Sequence, residues 1–171
     1  LIVKTYIEYC CGEHGNKQTV EFCTSVKHAQ EMERLFRESG IEARSVSGGT
    51  NATDRKHILA QYEAGKINVL LACDLLNEGW DSPRTQVLFM ARPTMSKTIY
   101  MQQLGRGMRP CHDEDVKKDF LMVFDFVDNA NMFNCPYSLH RLLNISAYIE
   151  GGEVLAKKGG HGFTPYAQGE K

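Results

Sequence analysis

No apolar run in the 171 residues approaches the ~18 needed to cross a bilayer, so no membrane span is expected. The opening Leu1-Ile2-Val3-Lys4 lacks the apolar stretch and cleavage site of a secretory leader. It also lacks Met, so the expectation is a piece of something longer. Net charge is nearly absent: 20 Lys plus Arg against 21 Asp plus Glu leave a formal -1. That excludes a uniformly basic nucleic-acid coat, but not a local basic surface. No C-x-x-C pair occurs among the six cysteines, and a disulfide framework suits smaller, loop-rich secreted chains. Cys23 and Cys73 lie inside apolar runs and read as buried free thiols. The expected setting is a reducing, cytoplasmic compartment. Cys111-His112 with Cys135 and His140 matches no common zinc spacing, and no metal site is expected.

Catalytic signatures are missing too. There is no G-x-x-x-x-G-K-[ST] phosphate loop and no Asp-Glu-x-His or Asp-Glu-x-Asp box for magnesium. There is no G-x-S-x-G and no H-E-x-x-H. Whatever chemistry the chain serves, it does not carry the parts that cradle and activate a nucleotide.

What is present is an ordinary globular composition, 42% apolar and 24% charged. The length suits one domain with a short appendage. Ile2, Val3, Tyr6 and Ile7 share a helical face, so residues 1–17 are expected to form a helix and linker. Thr19 to Cys23 reads as a strand. Ala29, Met32, Leu35 and Phe36 recur at helical spacing up to Gly40. Ala43 to Val46 is a second strand and Ser47 to Asn51 a turn. Asn51 is placed to cap a helix carrying Ile58, Leu59 and Tyr62, which stops at Gly65. Asn68 to Cys73, Gln86 to Ala91 and Phe120 to Phe124 are continuous apolar runs, the pattern of strands covered on both faces. Ser96 to Leu104 is expected to be helical and closed by Gly105, Gly107 and Pro110; Tyr137 to Ile149 reads as a last helix. This alternation predicts an α/β fold, a mostly parallel sheet with helices on both faces, over residues 18–150. Residues 151–171 hold six of the fifteen glycines and are expected to be a flexible tail.

In such sheets ligands sit beyond the carboxyl ends of the strands. Ser25 is placed to start a helix whose free N–H groups suit a phosphate. Gly48 and Gly49 allow close backbone approach. After the third strand, Asp74 leads into Leu-Leu-Asn-Glu-Gly79-Trp80-Asp81. Gly79 lets that loop turn sharply, and Asp81 presents a carboxylate able to accept from a ribose hydroxyl. Trp80, the only Trp, reads as a core filler beneath the turn. Arg92 follows the fourth strand. Arg106 and Arg109 stand three apart on a glycine-loosened turn, which predicts that they point the same way. Guanidinium forks match phosphate geometry. From Ser82 to His112 there is no acid and five bases: Arg84, Arg92, Lys97, Arg106 and Arg109. From Asp113 to Asp128 there are six acids and two lysines, so neutrality is a cancellation between two opposed stretches.

QQLGRGMR, residues 102–109, resembles motif VI of superfamily 2 helicases, LLACDLLNEGWDSP resembles their motif V, and TVEFCTSVKHAQEM their motif IV. ARPTMSKTIYMQQLGRGMRP is similar to the DEAD/DEAH-box DNA helicases that include excision-repair helicases and restriction-enzyme motor subunits. The resemblance covers residues 18–128. It implies the second, RecA-like domain of a helicase or translocase, a P-loop NTPase-type fold without its own phosphate loop. An N-terminal RecA-like domain of the same chain would then hold most of the ATP and Mg2+. By the same resemblance, Arg106 and Arg109 are arginine fingers, Gln102 sits near the γ-phosphate, and Gly79 and Asp81 couple nucleotide to nucleic acid. Ser25, Gly48, Cys73, Asp74 and Arg92 would face DNA, single strand or duplex. Cys73 departs from the Ser or Thr of many relatives and is a poor donor. A nuclease or methylase partner fits the restriction relatives. A non-catalytic phosphate- or nucleotide-binding module and a zinc-stabilised interaction domain are the competing expectations.

Overall fold

The computed structural model describes residues 1–12, 15–74, 80, 82–94, 96–113, 115–116, 118–127, 153–159 and 162–168. Five strands form one wholly parallel sheet: β1 (Thr19–Phe22), β2 (Ala43–Ser47), β3 (Val69–Cys73), β4 (Val87–Met90) and β5 (Met122–Asp125), in the order β2-β3-β1-β4-β5. The expected mostly parallel α/β sheet is therefore present, and β1 is its centre.

Side chains on β1, β3 and β4 are buried on both faces, which is why β3 and β4 read as unbroken apolar runs, whereas β2, at the edge of the sheet, is partly exposed at Arg44 and Ser45. One face is covered by α1 (Ile2–Cys10) and α2 (Val26–Glu38), through Tyr6, Cys10, Ala29, Met32 and Phe36. The other is covered by α3 (Ala52–Glu63) and α4 (Lys97–Gly107), through Tyr62, Tyr100 and Leu104. Tyr6 packs edge-on against Phe36 and Phe89, with centroids 5.4 and 6.3 Å away. Residues 1–17 were expected to form a helix and linker; α1 is that helix, and it is built into the core: Tyr6 is fully buried and its hydroxyl donates to the Lys17 carbonyl. The predicted apolar face is rotated, however, and Ile7 is exposed.

Local signals explain the helix ends. The Ser25, Asn51 and Ser96 side chains each accept from a backbone N–H three residues on, capping α2, α3 and α4. Gly40 and Gly65, just beyond α2 and α3, have φ of 76° and 73°, the left-handed values that end a helix cheaply only at glycine. Gly105 and Gly107 do not close α4 as expected; both lie within it. A Cβ on Gly107 would come within 2.6 Å of Leu121 Cδ1 and 3.2 Å of Leu88 Cδ1. That glycine lets the end of α4 lie directly on the sheet.

Residues 151–171 also differ from expectation. Strands β6 (Glu153–Gly159) and β7 (Gly162–Gln168) pair antiparallel, Glu153 opposite Gln168 and Gly159 opposite Gly162. The glycines taken for flexibility flank a hairpin connection, where they are equally favoured. The predicted helix from Tyr137 to Ile149 lies outside the described residues. Among the described residues, no helix is long and apolar enough to cross a membrane.

Candidate functional site

Because every strand runs the same way, their carboxyl ends meet at one edge of the sheet. Phe22 stands beside Ala72 and Met90, and Ser47 beside Cys73. That register brings together the β1–α2 turn with Ser25, the β2–α3 turn with Gly48, the Cys73-Asp74 turn and Arg92. Gly79 and Asp81 lie outside the described residues.

Ser25 is exposed, and its Oγ accepts from the His28 backbone N–H at 3.1 Å. The capping oxygen keeps its own O–H to donate outward. A Cβ on Gly48 would meet nothing within 4 Å, so a ligand backbone has room there. Arg55 holds this turn from behind, donating from one Nη to the carbonyls of Ser47, Gly48 and Thr50 at 3.2, 3.2 and 2.9 Å. Sequence reasoning missed Arg55. The available signal was a cation in the first turn of a helix, where the dipole opposes it and another partner must compensate.

Asp74 and Arg92 flank the end of the central strand and pair with each other: the guanidinium donates to Asp74 Oδ1. Arg92 thereby holds the Asp74 carboxyl below the usual carboxylate range. Asp74 sits at φ 57°, the left-handed region that Asp tolerates better than most residues. The Cys73 thiol is directed at Asp74 Oδ2, 3.7 Å away, and burial pushes its pKa up. A protonated thiol turned toward its neighbour is a weak phosphate donor.

The acid-free stretch is less positive than its sequence. Arg84 donates to Asp113 and Asp115, each at 2.7 Å, and to the Gln18 side chain at 2.9 Å. Neighbouring charge along the chain did not reveal this pairing because it joins residues 29 and 31 apart.

Arg106 and Arg109 do not share a helical turn. Arg106 is in the last turn of α4, partly buried, and donates to the Trp80 carbonyl. Trp80 packs edge-on against Tyr62 with centroids 5.8 Å apart, the core role expected of it. Arg106 thus ties the last turn of α4 to Trp80. Arg109 lies beyond the helix end and is exposed, as is Gln102. Lys118 braces its backbone, donating to the Arg109 and Pro83 carbonyls, both at 2.8 Å. Lys118 was also missed, since it falls in the acidic stretch. The donors here suit phosphate oxygens. The carboxylates described at this edge, Asp74 among them, form no cluster of a kind suited to magnesium.

A parallel sheet with polar turns along one edge, and α4 tied to Trp80 beside it, is the arrangement of a RecA-like domain. The Helicase conserved C-terminal domain family matches residues 2–111. The chain belongs to that family, as a superfamily 2 helicase C-terminal domain. It is 32% identical over 132 residues to the "Putative ATP-dependent helicase IRC3" of Saccharomyces cerevisiae, covering 77% of this chain and 18% of that protein. It is 37% identical over 119 residues to the "Putative mitochondrial ATP-dependent helicase irc3" of Schizosaccharomyces pombe, covering 68% and 19%. The chain therefore spans about a fifth of the length of these relatives. The Escherichia coli DEAD-box protein SrmB, solved bound to the regulator RraA, shares the fold with a TM-score of 0.58 at 19% identity, covering 75% of this chain and 72% of that one.

Proposed function

We propose that this domain is the C-terminal half of an ATP-driven nucleic-acid motor, working with a second RecA-like domain that carries the phosphate loop and the magnesium carboxylates. The observation that carries the reading is the Arg106–Trp80 bond, which ties the last turn of α4, just ahead of Arg109, to the residue that stands between Gly79 and Asp81 in sequence. Such a joint lets a change at the nucleotide reach the strand-end turns.

In this reading Arg109 reaches the phosphates of ATP held by the other domain, with Gln102 near the γ-phosphate. An arginine supplied from outside the cradle is worth ~10³–10⁵ in rate and makes hydrolysis depend on domain closure. Arg106 serves the same nucleotide and keeps the loop in place. By the helicase resemblance, Gly79 and Asp81 couple nucleotide to nucleic acid, Asp81 through the ribose. ATP supplies the free energy when bound; these residues orient it and hold the two domains in register.

Ser25 and Gly48 face the nucleic-acid backbone through a hydroxyl, a helix N-terminus and open backbone. Asp74 and Arg92 set the shape of the same edge as an ion pair, and Cys73 contributes packing more than donation. The substrate is DNA, on the similarity of residues 91–110 to DNA motors; a nuclease or methylase partner belongs to the same reading. The compartment is reducing.

The test is ATP turnover by the whole protein with no nucleic acid, single-stranded DNA, or single-stranded RNA, beside turnover by this chain alone. The expected result is stimulation by DNA and none above background from the chain alone. Stimulation by RNA only would overturn the substrate. Full turnover by the chain alone would overturn the half-motor reading.

A further inference from the structure

Glu21 occupies an improbable place for an acid. It lies in the middle of β1, the central strand, and is fully buried. Strand alternation puts Glu21 and Cys23 on the same face, the one covered by α2. The first turn of α2 delivers His28 to the same point. Cys23 Sγ lies 3.6 Å and His28 Nε2 3.9 Å from Glu21 Oε1. Glu21 Oε2 is buried with no hydrogen-bond partner. An orphaned carboxylate oxygen is costly in such surroundings, so its retention calls for a partner.

We propose that Glu21, Cys23 and His28 bind a single Zn2+ ion, with the fourth position open on the His28 side. The ligand atoms all lie within 4.8 Å of one another. Tetrahedral zinc bonded at ~2.0–2.3 Å sets its ligands roughly 3.3–3.8 Å apart. The separations of 3.6 and 3.9 Å to Glu21 are close to that range, and the widest in the cluster, within 4.8 Å, closes on binding by rotation of the partly exposed His28 side chain. Thiolate, imidazole and carboxylate together form a set suited to zinc and unsuited to magnesium or calcium. The charges also close: Zn2+ with one thiolate and one carboxylate is neutral, the form a low-dielectric interior accepts. Burial holds the Glu21 carboxyl proton up to about 8 and the Cys23 thiol proton higher still. Zinc takes the thiolate, so binding at neutral pH releases the Cys23 proton.

The imidazole is already oriented. His28 Nδ1 lies 3.2 Å from Thr24 Oγ1. Binding places the ring proton on Nδ1, donating to that hydroxyl, and frees the Nε2 lone pair. The opposite tautomer, in which the Thr24 N–H donates to Nδ1 at 3.4 Å, is given up. A cleft of about 520 Å³, walled by Leu1, Val3, Met32 and Phe126, reaches His28 and supplies an entry path. Bound metal would tie the end of β1 to α2 across the turn that holds Ser25.

The experiment titrates the full, reduced chain with CoCl2, reading the thiolate-to-cobalt charge-transfer band, then displaces cobalt with ZnCl2. The expected result is saturation at one equivalent, displacement by zinc, and proton release on zinc binding in calorimetry at pH 7. Cys23→Ala should lose the band while Cys111→Ala keeps it. His28→Gln, at a partly exposed position that leaves folding intact by circular dichroism, should weaken binding at least tenfold, since outer-shell changes alone cost ~10–100-fold. No band, a band that survives Cys23→Ala, one lost in Cys111→Ala, or unchanged affinity in His28→Gln would each overturn the site.

Discussion

Replacing Glu21 with Gln should flatten the pH dependence of stability between about pH 5 and 8. Burial raises the Glu21 pKa from 4.5 to about 8, and only a weak contact from Cys23 opposes it. The folded state keeps a proton that the unfolded chain has lost. The contribution is therefore fully present below the unfolded value and is lost as pH rises through the folded one. A gap of 4.5 to about 8, at ~1.36 kcal/mol per unit, amounts to about 5 kcal/mol, lost at up to ~1.4 kcal/mol per pH unit. Against a typical total of ~5–15 kcal/mol this is a large share. Asp74 and Asp115 have lowered values from Arg92 and Arg84; their contributions are present above the ordinary Asp value and fall away only below it, outside the window. Cys10 is pushed up to about 12 from 9.0, so its effect begins at alkaline pH. Urea melts of both chains at four pH values, in reductant and a metal chelator, measure the difference. Glutamine should track the acid-pH wild type and diverge from it upward as pH rises. Parallel curves for the two chains would refute the reasoning.

The two glycines of α4 should respond oppositely: Gly105→Ala, where a Cβ meets nothing within 4 Å, stabilises by roughly 0.5–1 kcal/mol, while Gly107→Val destabilises by about 1–3 kcal/mol through Leu121 and Leu88; denaturant melts decide both. Ser25→Ala should lose about 1 kcal/mol of stability with the α2 cap, and Ser25→Gly only a few tenths. In the whole protein both should weaken single-strand binding equally in a titration, since both lack the outward O–H.

Much of the fold was legible because its signals are local. Apolar runs such as Val69–Cys73 announce strands covered on both faces, and Ser25, Asn51, Ser96, Gly40 and Gly65 mark helix ends with their own chemistry. Gly107 was misread for the converse reason. Its role depends on Leu121 and Leu88, which the chain brings near only when folded. The hairpin at residues 153–168 was missed because glycine marks both flexible chain and tight turns.

The candidate site divides the same way. Strand order and direction placed Ser25, Gly48, Asp74 and Arg92 on one edge, as expected of a parallel sheet. Charge counting went astray where partners are distant in sequence. Arg84 belongs to Asp113 and Asp115, and Arg92 to Asp74, so the positive stretch is partly neutralised. Helical spacing failed for Arg106 and Arg109 because α4 ends between them. The cluster of Glu21, Cys23 and His28 was visible as a glutamate in an apolar strand, a signal that passes easily for ordinary alternation.

The central claim is that an arginine of this domain completes a nucleotide site on another. Arg109→Ala tests it most directly, since Arg106 also holds the Trp80 carbonyl and its loss would loosen the loop. The measurement is DNA-stimulated ATP turnover by the whole protein, with ATP affinity determined on the same samples. Turnover should fall ~10³–10⁵-fold while affinity stays within a few-fold. Near-normal turnover in Arg109→Ala would contradict the account.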